Sequence, residues 1–480
     1  DVVDGALNRM RGQKTMHRIW GHDYTVWKEE PREISNRLGW LHGPEIMGEA
    51  VPQITAFVEE IRAEGYTSAL LLGMGGSSLA PEMFRQVFGV REGYPDLSVL
   101  DSTDPGAVLE LKRRLDPHKT LYIVSTKSGG TVETLSFMKF FYNVVAEALG
   151  PEKAGAHFIA ITDPDSSLEA TAGNLGFRRV FLNDPNIGGR YSALSYFGMV
   201  PAALVGVDLY RFIDRAARMA CNTEGCNCPL GGDNSGARFG AVMGELSLMG
   251  RDKVTLITSP PLSPFGAWAE QLIAESTGKD GKGILPVEGE RLLQPKYYAG
   301  DRLFVYLRLK NDDTHDTGVK ALEASGHPVV RLLLNDLYDL GGELFRWEMA
   351  TAVAGSILGI NPFDQPNVES AKVLAGRMVA AYRQENQLPE LNPAFKSDGI
   401  GVFTEASARD IEGALETFLD RAAKGEGEDD KDRGYIALQA YLKPDEVTDA
   451  ALQNLREALQ KKYRMATTLG YGPRFLHSTG

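Results

Sequence analysis

The sequence predicts an α/β protein made of two tandem units, each a mostly parallel sheet flanked by helices. A helical arm precedes them and an α+β extension follows. Three observations predict this class. Short apolar runs such as Ser68–Leu72, Leu121–Val124 and Val254–Thr258 recur, with helix-period patterns between them, as βαβ units require. The turns that follow two of these runs are crowded with Gly, Ser and Thr. A Cys/Asn/Gly/Pro-rich stretch, 221–235, then separates one succession of elements from a second. At 480 residues the chain exceeds what a single core supports. The organisation read from these signals is an arm over 1–45, a first unit over 46–220, a linker over 221–235, a second unit over 236–385 and an extension over 386–480.

The arm carries Trp20, Trp27 and Trp40 among many charges and reads as two short helices packed across a larger body. Val51, Ile54, Phe57, Val58 and Ile61 mark one face of a helix over Val51–Ala63. The run Ser68–Leu72 reads as a buried strand that feeds straight into Gly73-Met74-Gly75-Gly76-Ser77-Ser78, with a helix from Pro81. Strand, glycine turn and helix let backbone N–H groups meet a phosphate. A tight turn without ligand reads equally well, because the glycine pattern is neither a full dinucleotide fingerprint nor a Walker loop.

Strands follow at Ser98–Leu100 and Leu121–Val124. The second ends in Ser125-Thr126-Lys127-Ser128-Gly129-Gly130-Thr131 before a helix. Hydroxyls and N–H groups there can satisfy phosphate oxygens, and Lys127 can add charge. Simple Ser/Thr capping of the helix is the alternative. Ligands of open α/β sheets bind beyond the carboxyl ends of the strands, so two such loops on one sheet argue for an anion site. Strands at His157–Ile161 and Val180–Leu182 lead to Asn186-Ile187-Gly188-Gly189-Arg190 and an apolar helix reaching Val207. The two glycines allow close backbone approach, with Arg190 directed into a cleft or, alternatively, lying on a surface turn.

The second unit reads as helix 236–250, strand Val254–Thr258, helix 264–274, strand 302–308, helix 316–325, strand 328–334 and a central apolar helix Glu343–Leu358. Glu275 falls where helix 264–274 gives way to Ser276-Thr277-Gly278-Lys279, a loop edge of the kind that carries catalytic side chains; alone it reads as a solvated helix end, and only the two glycine-hydroxyl loops, Arg190 and Lys372 set it apart. Asn361-Pro362-Phe363-Asp364-Gln365-Pro366 breaks the central helix and starts another, with Lys372 near its first turns. A cation there opposes the helix dipole and suggests a nearby anion, unless it is merely exposed. A charged loop over 424–434, a strand Tyr435–Tyr441, a helix 446–462 and a Gly-rich end at 470–477 complete the chain.

Net charge is −13, which argues against nucleic acid as partner but not against a small anionic substrate held by local cations. The longest apolar run, Tyr196–Val207, contains Pro201 and falls short of the roughly 20 residues of a membrane span. No signal peptide is visible. Cys221, Cys226 and Cys228 follow no usual zinc spacing and are read as thiols of a reducing cytoplasm.

Taken together, Gly-Met-Gly-Gly-Ser (73–77), Lys-Ser-Gly-Gly-Thr (127–131), Gly-Gly-Arg-Tyr-Ser (188–192), Gln-x3-Glu-Ser-x-Gly-Lys (271–279) and Asn-Pro-Phe-Asp-Gln-Pro-x-Val-Glu-x2-Lys (361–372) resemble the phosphoglucose isomerase family. That family is built from two sugar-isomerase (SIS) domains. The likeness runs from about Trp20 to the end and is strongest to the isomerase half of bacterial transaldolase–phosphoglucose isomerase fusions. The resemblance implies interconversion of glucose 6-phosphate and fructose 6-phosphate through a cis-enediolate. It implies that Gly76, Ser77, Thr126, Lys127, Ser128 and Thr131 bind the sugar phosphate. Glu275 would move the proton between C1 and C2, Arg190 would stabilise the enediolate, Gln271 would line the site and Lys372 would assist ring opening.

This chemistry needs a carboxylate in reach of two adjacent carbons and a fixed cation where negative charge develops. It requires neither metal nor organic cofactor. A homo-oligomer is expected. The start at Asp1 fits loss of a transaldolase half, and the resemblance implies a further tail beyond Gly480. A non-catalytic sugar-phosphate sensor is the alternative; it would be free to lose Glu275, Arg190 or Lys372, all of which are present.

The sequence departs from the family at the histidine that opens the sugar ring, because Leu285–Asp301 contains none. His17, His22 and His42 lie in the arm, and His118, His157 and His327 lead into strands at the wrong sheet end. His315 sits among Asp312, Asp313 and Asp316, which reads as an exposed turn. His477 follows Phe475 and Leu476, which can dock it into a cleft of its own or a neighbouring subunit, and the fusion proteins share this Arg-Phe-Leu-His ending. Either His477 is an ordinary terminal histidine, or it opens the ring together with Lys372, with His315 or Lys372 alone as further alternatives.

Overall fold

The computed structural model describes residues 1–224, 234–365, 368–389, 392–397, 399–405, 408–424 and 434–477, the side chains of 368–372, 375 and 421–424 excepted. Its first sheet contains β1 (Ser68–Gly73), β2 (Asp96–Leu100), β3 (Thr120–Ser125), β4 (Phe158–Thr162) and β5 (Arg179–Leu182) in the order β2-β1-β3-β4-β5. Every pairing is parallel; Leu71, for example, lies opposite Val99 on one side and Ile123 on the other. The second sheet contains β6 (Lys253–Thr258), β7 (Leu285–Val287), β8 (Arg302–Leu309) and β9 (Val329–Leu334) in the order β7-β6-β8-β9, again all parallel. The second sheet thus repeats the first, one strand short, and the expected α/β class with two tandem units is observed.

Strand alternation sorts the apolar residues into layers. Leu71, Ile123 and Ile159 face one continuous core that also takes in Val254, Leu303 and Val305 of the second sheet. Leu70, Leu72, Tyr122 and Val124 face the outer helices of the first sheet, and Ile257, Phe304 and Tyr306 those of the second. The arm closes the seam between the units. Trp20 stacks on Phe345 at 6.0 Å, Trp27 donates its indole N–H to the Ala352 carbonyl at 2.8 Å, and Trp40 packs 5.2 Å from Tyr191. Burial of side chains this size contributes about 1.5–3 kcal/mol each.

Helix Leu340–Leu358 is the central one. It starts three residues before the expected Glu343 because Gly341-Gly342, which reads as a breaker, is a crossing point. A Cβ on Gly341 would stand 2.3 Å from the Phe212 carbonyl oxygen of helix Leu209–Thr223. Helix Leu79–Phe88 likewise begins two residues before Pro81. Four strands carry no legible sequence pattern. β7 has three residues with a proline in the middle, tolerable at a sheet edge.

The other three lie in the extension: a small hairpin, β10 (Phe395–Ser397) and β11 (Ile400–Val402), and then β13 (Ala466–Tyr471), which follows the expected β12 (Tyr435–Ala440). β12 and β13 pair in parallel across the crossover helix Glu446–Tyr463, so the Gly-rich end is partly strand. Two arginines tie this βαβ unit down. Arg456 donates to the Glu288 carbonyl at 2.7 Å in the second unit, and Arg474 grips Asp101 at 2.6 and 2.9 Å in the first. They deliver the turn Arg474–His477 to the cleft between the units. Cys226, Cys228 and most of the charged loop 424–434 lie outside the described residues. No helix among the described residues is long and apolar enough to cross a membrane.

Candidate active site

The order β2-β1-β3 makes a topological switch point, and the crevice beyond the carboxyl ends of β1 and β3 is where such sheets bind ligands. Both glycine-hydroxyl loops open there. Thr131 directly precedes helix Val132–Leu149, yet its side chain makes no capping bond. It pairs with Thr126 at 3.0 Å between hydroxyl oxygens. The Thr131 hydroxyl is therefore not spent on capping this helix start, an arrangement suited to an anion. Lys127 is turned aside: its ammonium is bonded to the Asp163 carboxylate and, at 3.0 Å, to the Pro185 carbonyl. Burial pushes the Asp163 carboxyl up, and the Lys127 ammonium works against that.

The loop after β1 meets the other expected residues by close approach. A Cβ on Gly76 would fall 2.0 Å from the Gly189 carbonyl oxygen, next to Arg190. One on Gly75, where φ is +55°, would lie 2.9 Å from the His477 carbonyl oxygen and 3.0 Å from the Gln271 amide nitrogen. Glycine is required at both positions for the three segments to converge.

Glu275 lies in the last turn of helix Phe265–Thr277, one turn past Gln271. The Gln271 amide donates to the Glu275 carboxylate at 3.3 Å and to the His477 carbonyl at 2.7 Å. Arg190 Nη1 stands 3.0 Å from Glu275 Oε1; the guanidinium is 1% exposed and the carboxylate 18%, so only the acid faces the opening. The rest of the guanidinium is pinned: Nε donates to the Ser276 hydroxyl at 2.8 Å, and Nη2 to the Pro362 and Asp364 carbonyls at 2.8 and 2.9 Å.

His477 Nε2 lies 3.1 Å from Glu133 Oε1. Sequence reasoning did not single out Glu133. The hydrogen bond from His477 holds the Glu133 carboxyl below its usual range, against the desolvation that would raise it. An ionised Glu133 accepts the Nε2 proton and leaves Nδ1 as the nitrogen with the lone pair. Glu133 sits in the first turn of its helix, so it also links the second phosphate-type loop to the end of the chain.

The structure thus brings together the Gly75–Ser77 turn, Arg190, Gln271, Glu275 and His477, and Glu133 joins His477 to the second loop, where Thr131 pairs with Thr126 and the Ser128 hydroxyl accepts from the Gly130 N–H. Lys372 lies in helix Val368–Glu385, but its side chain is outside the described residues. His315 only precedes the helix Asp316–Ala324. Chemically, the arrangement is a carboxylate poised beside a fixed, buried cation, an imidazole–carboxylate pair, and a glycine- and hydroxyl-rich floor suited to an anion.

An α/β pair of parallel sheets with an acid–base site at the switch point defines a class of small-molecule enzyme that moves protons on an anionic substrate. The phosphoglucose isomerase family model matches residues 31–224. A glucose-6-phosphate isomerase of Thermus thermophilus is 30% identical over 405 residues, spanning 72% of this chain and 91% of that one. That of Rubrobacter xylanophilus is 29% identical over 368 residues, 65% of this chain and 83% of the other. A crystal structure of a hypothetical protein, also from T. thermophilus, superposes with a TM-score of 0.68 at 26% identity, covering 78% of this chain and 97% of that one. The Chlamydia trachomatis glucose-6-phosphate isomerase shares the fold, with a TM-score of 0.59 at 21% identity over 77% of this chain and 78% of its own. The chain belongs to the phosphoglucose isomerase family, and its two sheets are tandem sugar-isomerase units.

Proposed function

We propose that this chain is a glucose-6-phosphate isomerase, interconverting glucose 6-phosphate and fructose 6-phosphate. The single observation that carries the reading is the Glu275–Arg190 pair, with an open carboxylate held 3.0 Å from a buried guanidinium. The test is conversion of fructose 6-phosphate to glucose 6-phosphate, followed by a coupled dehydrogenase. A non-catalytic sensor would bind the sugar phosphate without converting it, and nothing in the site favours that alternative.

In this reading Gly76, Ser77, Thr126, Ser128 and Thr131, with the start of helix Val132–Leu149, receive the phosphate, and Lys127 adds charge from its place beside Asp163. Replacing Ser128 and Thr131 together by Ala removes two bonds to a charged group. Each such bond is worth about 1.5–3 kcal/mol. KM should rise about a hundredfold or more while kcat changes little; a fall confined to kcat would contradict anchoring.

His477 opens the ring through Nδ1, taking the anomeric hydroxyl proton and returning a proton to the ring oxygen, with Lys372 assisting. Glu275 then removes the C2 proton of the open aldose, the electrons move onto the C1 oxygen, and the enediolate forms beside Arg190. The hydroxyl proton passes from O2 to O1, which leaves the negative charge on O2, and return of the carbon-bound proton to C1 then closes the C2 carbonyl and gives the ketose. His477→Ala should slow turnover of cyclic substrate about tenfold or more and hardly affect proton exchange on substrate presented open-chain. Equal activity of variant and parent on the cyclic sugar eliminates His477.

The same reading takes the organisation as arm 1–45, units 46–220 and 236–385, and extension 386–480. It takes the active form as a cytoplasmic homo-oligomer of the transaldolase-fusion type, a likeness that rests on Arg474–His477.

A further inference from the structure

We infer that Lys279 is a positioning residue of this site, holding the Asp364 carbonyl that braces Arg190 against Glu275. The inference rests on the isomerase reading and assigns a role to a side chain that the mechanism above does not use. Lys279 lies four residues past Glu275, in the loop that leaves helix Phe265–Thr277. Its backbone N–H is bonded to the Thr277 carbonyl at 2.8 Å, and its own carbonyl accepts from Lys282 at 2.9 Å. The loop is therefore fixed to the end of the catalytic helix.

The side chain is 4% exposed. Its ammonium donates to the Asp364 carbonyl oxygen at 2.7 Å and is also bonded to the Asp364 carboxylate. The same carbonyl oxygen accepts from Arg190 Nη2 at 2.9 Å. One oxygen, with two lone pairs, is thus shared by two cations, Arg190 beside Glu275 and Lys279. Asp364 stands in the segment after helix Leu340–Leu358 that leads to helix Val368–Glu385, the helix of Lys372. Lys279 therefore clamps three parts of the site to one another: the end of the Glu275 helix, the Arg190 turn and the approach to Lys372.

Buried ammonium groups are retained at a cost and lose protons readily. The charged groups facing Lys279 are Arg190 from its turn, Glu275 from the helix and Asp364 from the segment beyond; Lys28 of the arm pairs with the neighbouring Asp280 at 3.2 Å. Desolvation first, and Arg190 second, pull the Lys279 ammonium down to about 8, against the Asp364 hydrogen bond and the charges of Asp364 and Glu275. Below that pH the clamp is charged. Above it a neutral amine faces the Asp364 carboxylate and donates to the carbonyl without charge assistance, so the brace on Arg190 is weaker.

The experiment measures kcat and KM from pH 6 to 10 for the parent, Lys279→Met and Lys279→Arg. The parent should show a fall in kcat on the alkaline side near pH 8. Lys279→Met should lower kcat about tenfold at neutral pH with affinity for inorganic phosphate kept, because the phosphate loops do not touch this residue. Lys279→Arg keeps its charge over the whole range and should recover part of kcat with its alkaline fall moved up by more than about one pH unit. Parental kcat in Lys279→Met overturns the inference, as does an active Lys279→Arg whose alkaline fall stays near pH 8. Loss of phosphate affinity in step with kcat in Lys279→Met also overturns it. If Lys279→Arg is inactive, the kcat–KM split in Lys279→Met decides. A parent that does not isomerise overturns the isomerase reading and this inference together, whereas an active parent with any of the contrary variant results overturns this inference alone.

Discussion

Glu275→Gln should lower kcat by about 10²–10⁴-fold, the usual contribution of a positioned general base, while a phosphorylated ligand still binds. The amide has the size of the carboxylate and keeps one oxygen toward Arg190 Nη1, now 3.0 Å from Glu275 Oε1. Its partner Gln271 is an amide as well and can rotate to meet it. What is lost is the lone pair that takes the proton from C2. Exchange of the C1 and C2 protons with solvent should disappear with turnover, and persistent exchange in the variant would place the base on another residue.

Arg190→Lys should cost about 10²–10³-fold in kcat, the range found when one preorganised donor to a developing oxyanion is removed. The guanidinium is held on three sides by Ser276, Pro362 and Asp364, with the remaining nitrogen beside Glu275. It is thus aimed before any charge develops. A lysine supplies the charge but a single point of attachment, and it cannot bond the Ser276 hydroxyl and two carbonyls while also facing the site. Because that charge is retained, the loss should fall on kcat and leave KM for the phosphorylated sugar within a few fold. A variant with parental kcat would show that enediolate charge is stabilised elsewhere.

Much of this architecture is legible in the sequence because strands buried on both faces are written as unbroken apolar runs. Leu70-Leu71-Leu72 and Tyr122-Ile123-Val124 divide between two cores and leave little ambiguity. β7 and β13 are not legible. The first is three residues at an edge, and the second is half threonine and glycine, stabilised by its parallel partner and a crossover helix. Gly341 reads as a helix breaker but lies within a helix, since close approach of two backbones leaves the same signature as a turn.

At the site, Glu275, Arg190 and Gln271 stand out through their motifs. Glu133 does not, because an acid in the first turn is what a helix dipole selects with no ligand present. Only the fold shows that it meets His477, 344 residues away. Lys279 is visible within Glu-Ser-x-Gly-Lys, but its partner Asp364 is 85 residues distant, and no local pattern links the two.

The central claim is that Glu275 carries a proton between adjacent carbons through an enediolate. The most direct measurement follows fructose 6-phosphate and the parent chain in D2O by NMR. Glucose 6-phosphate should appear with deuterium at C2, since the proton held by the carboxylate exchanges with solvent before it is returned. Absence of glucose 6-phosphate, or its formation with no deuterium at C2 at any extent of reaction, as a direct hydride shift would give, would contradict the account.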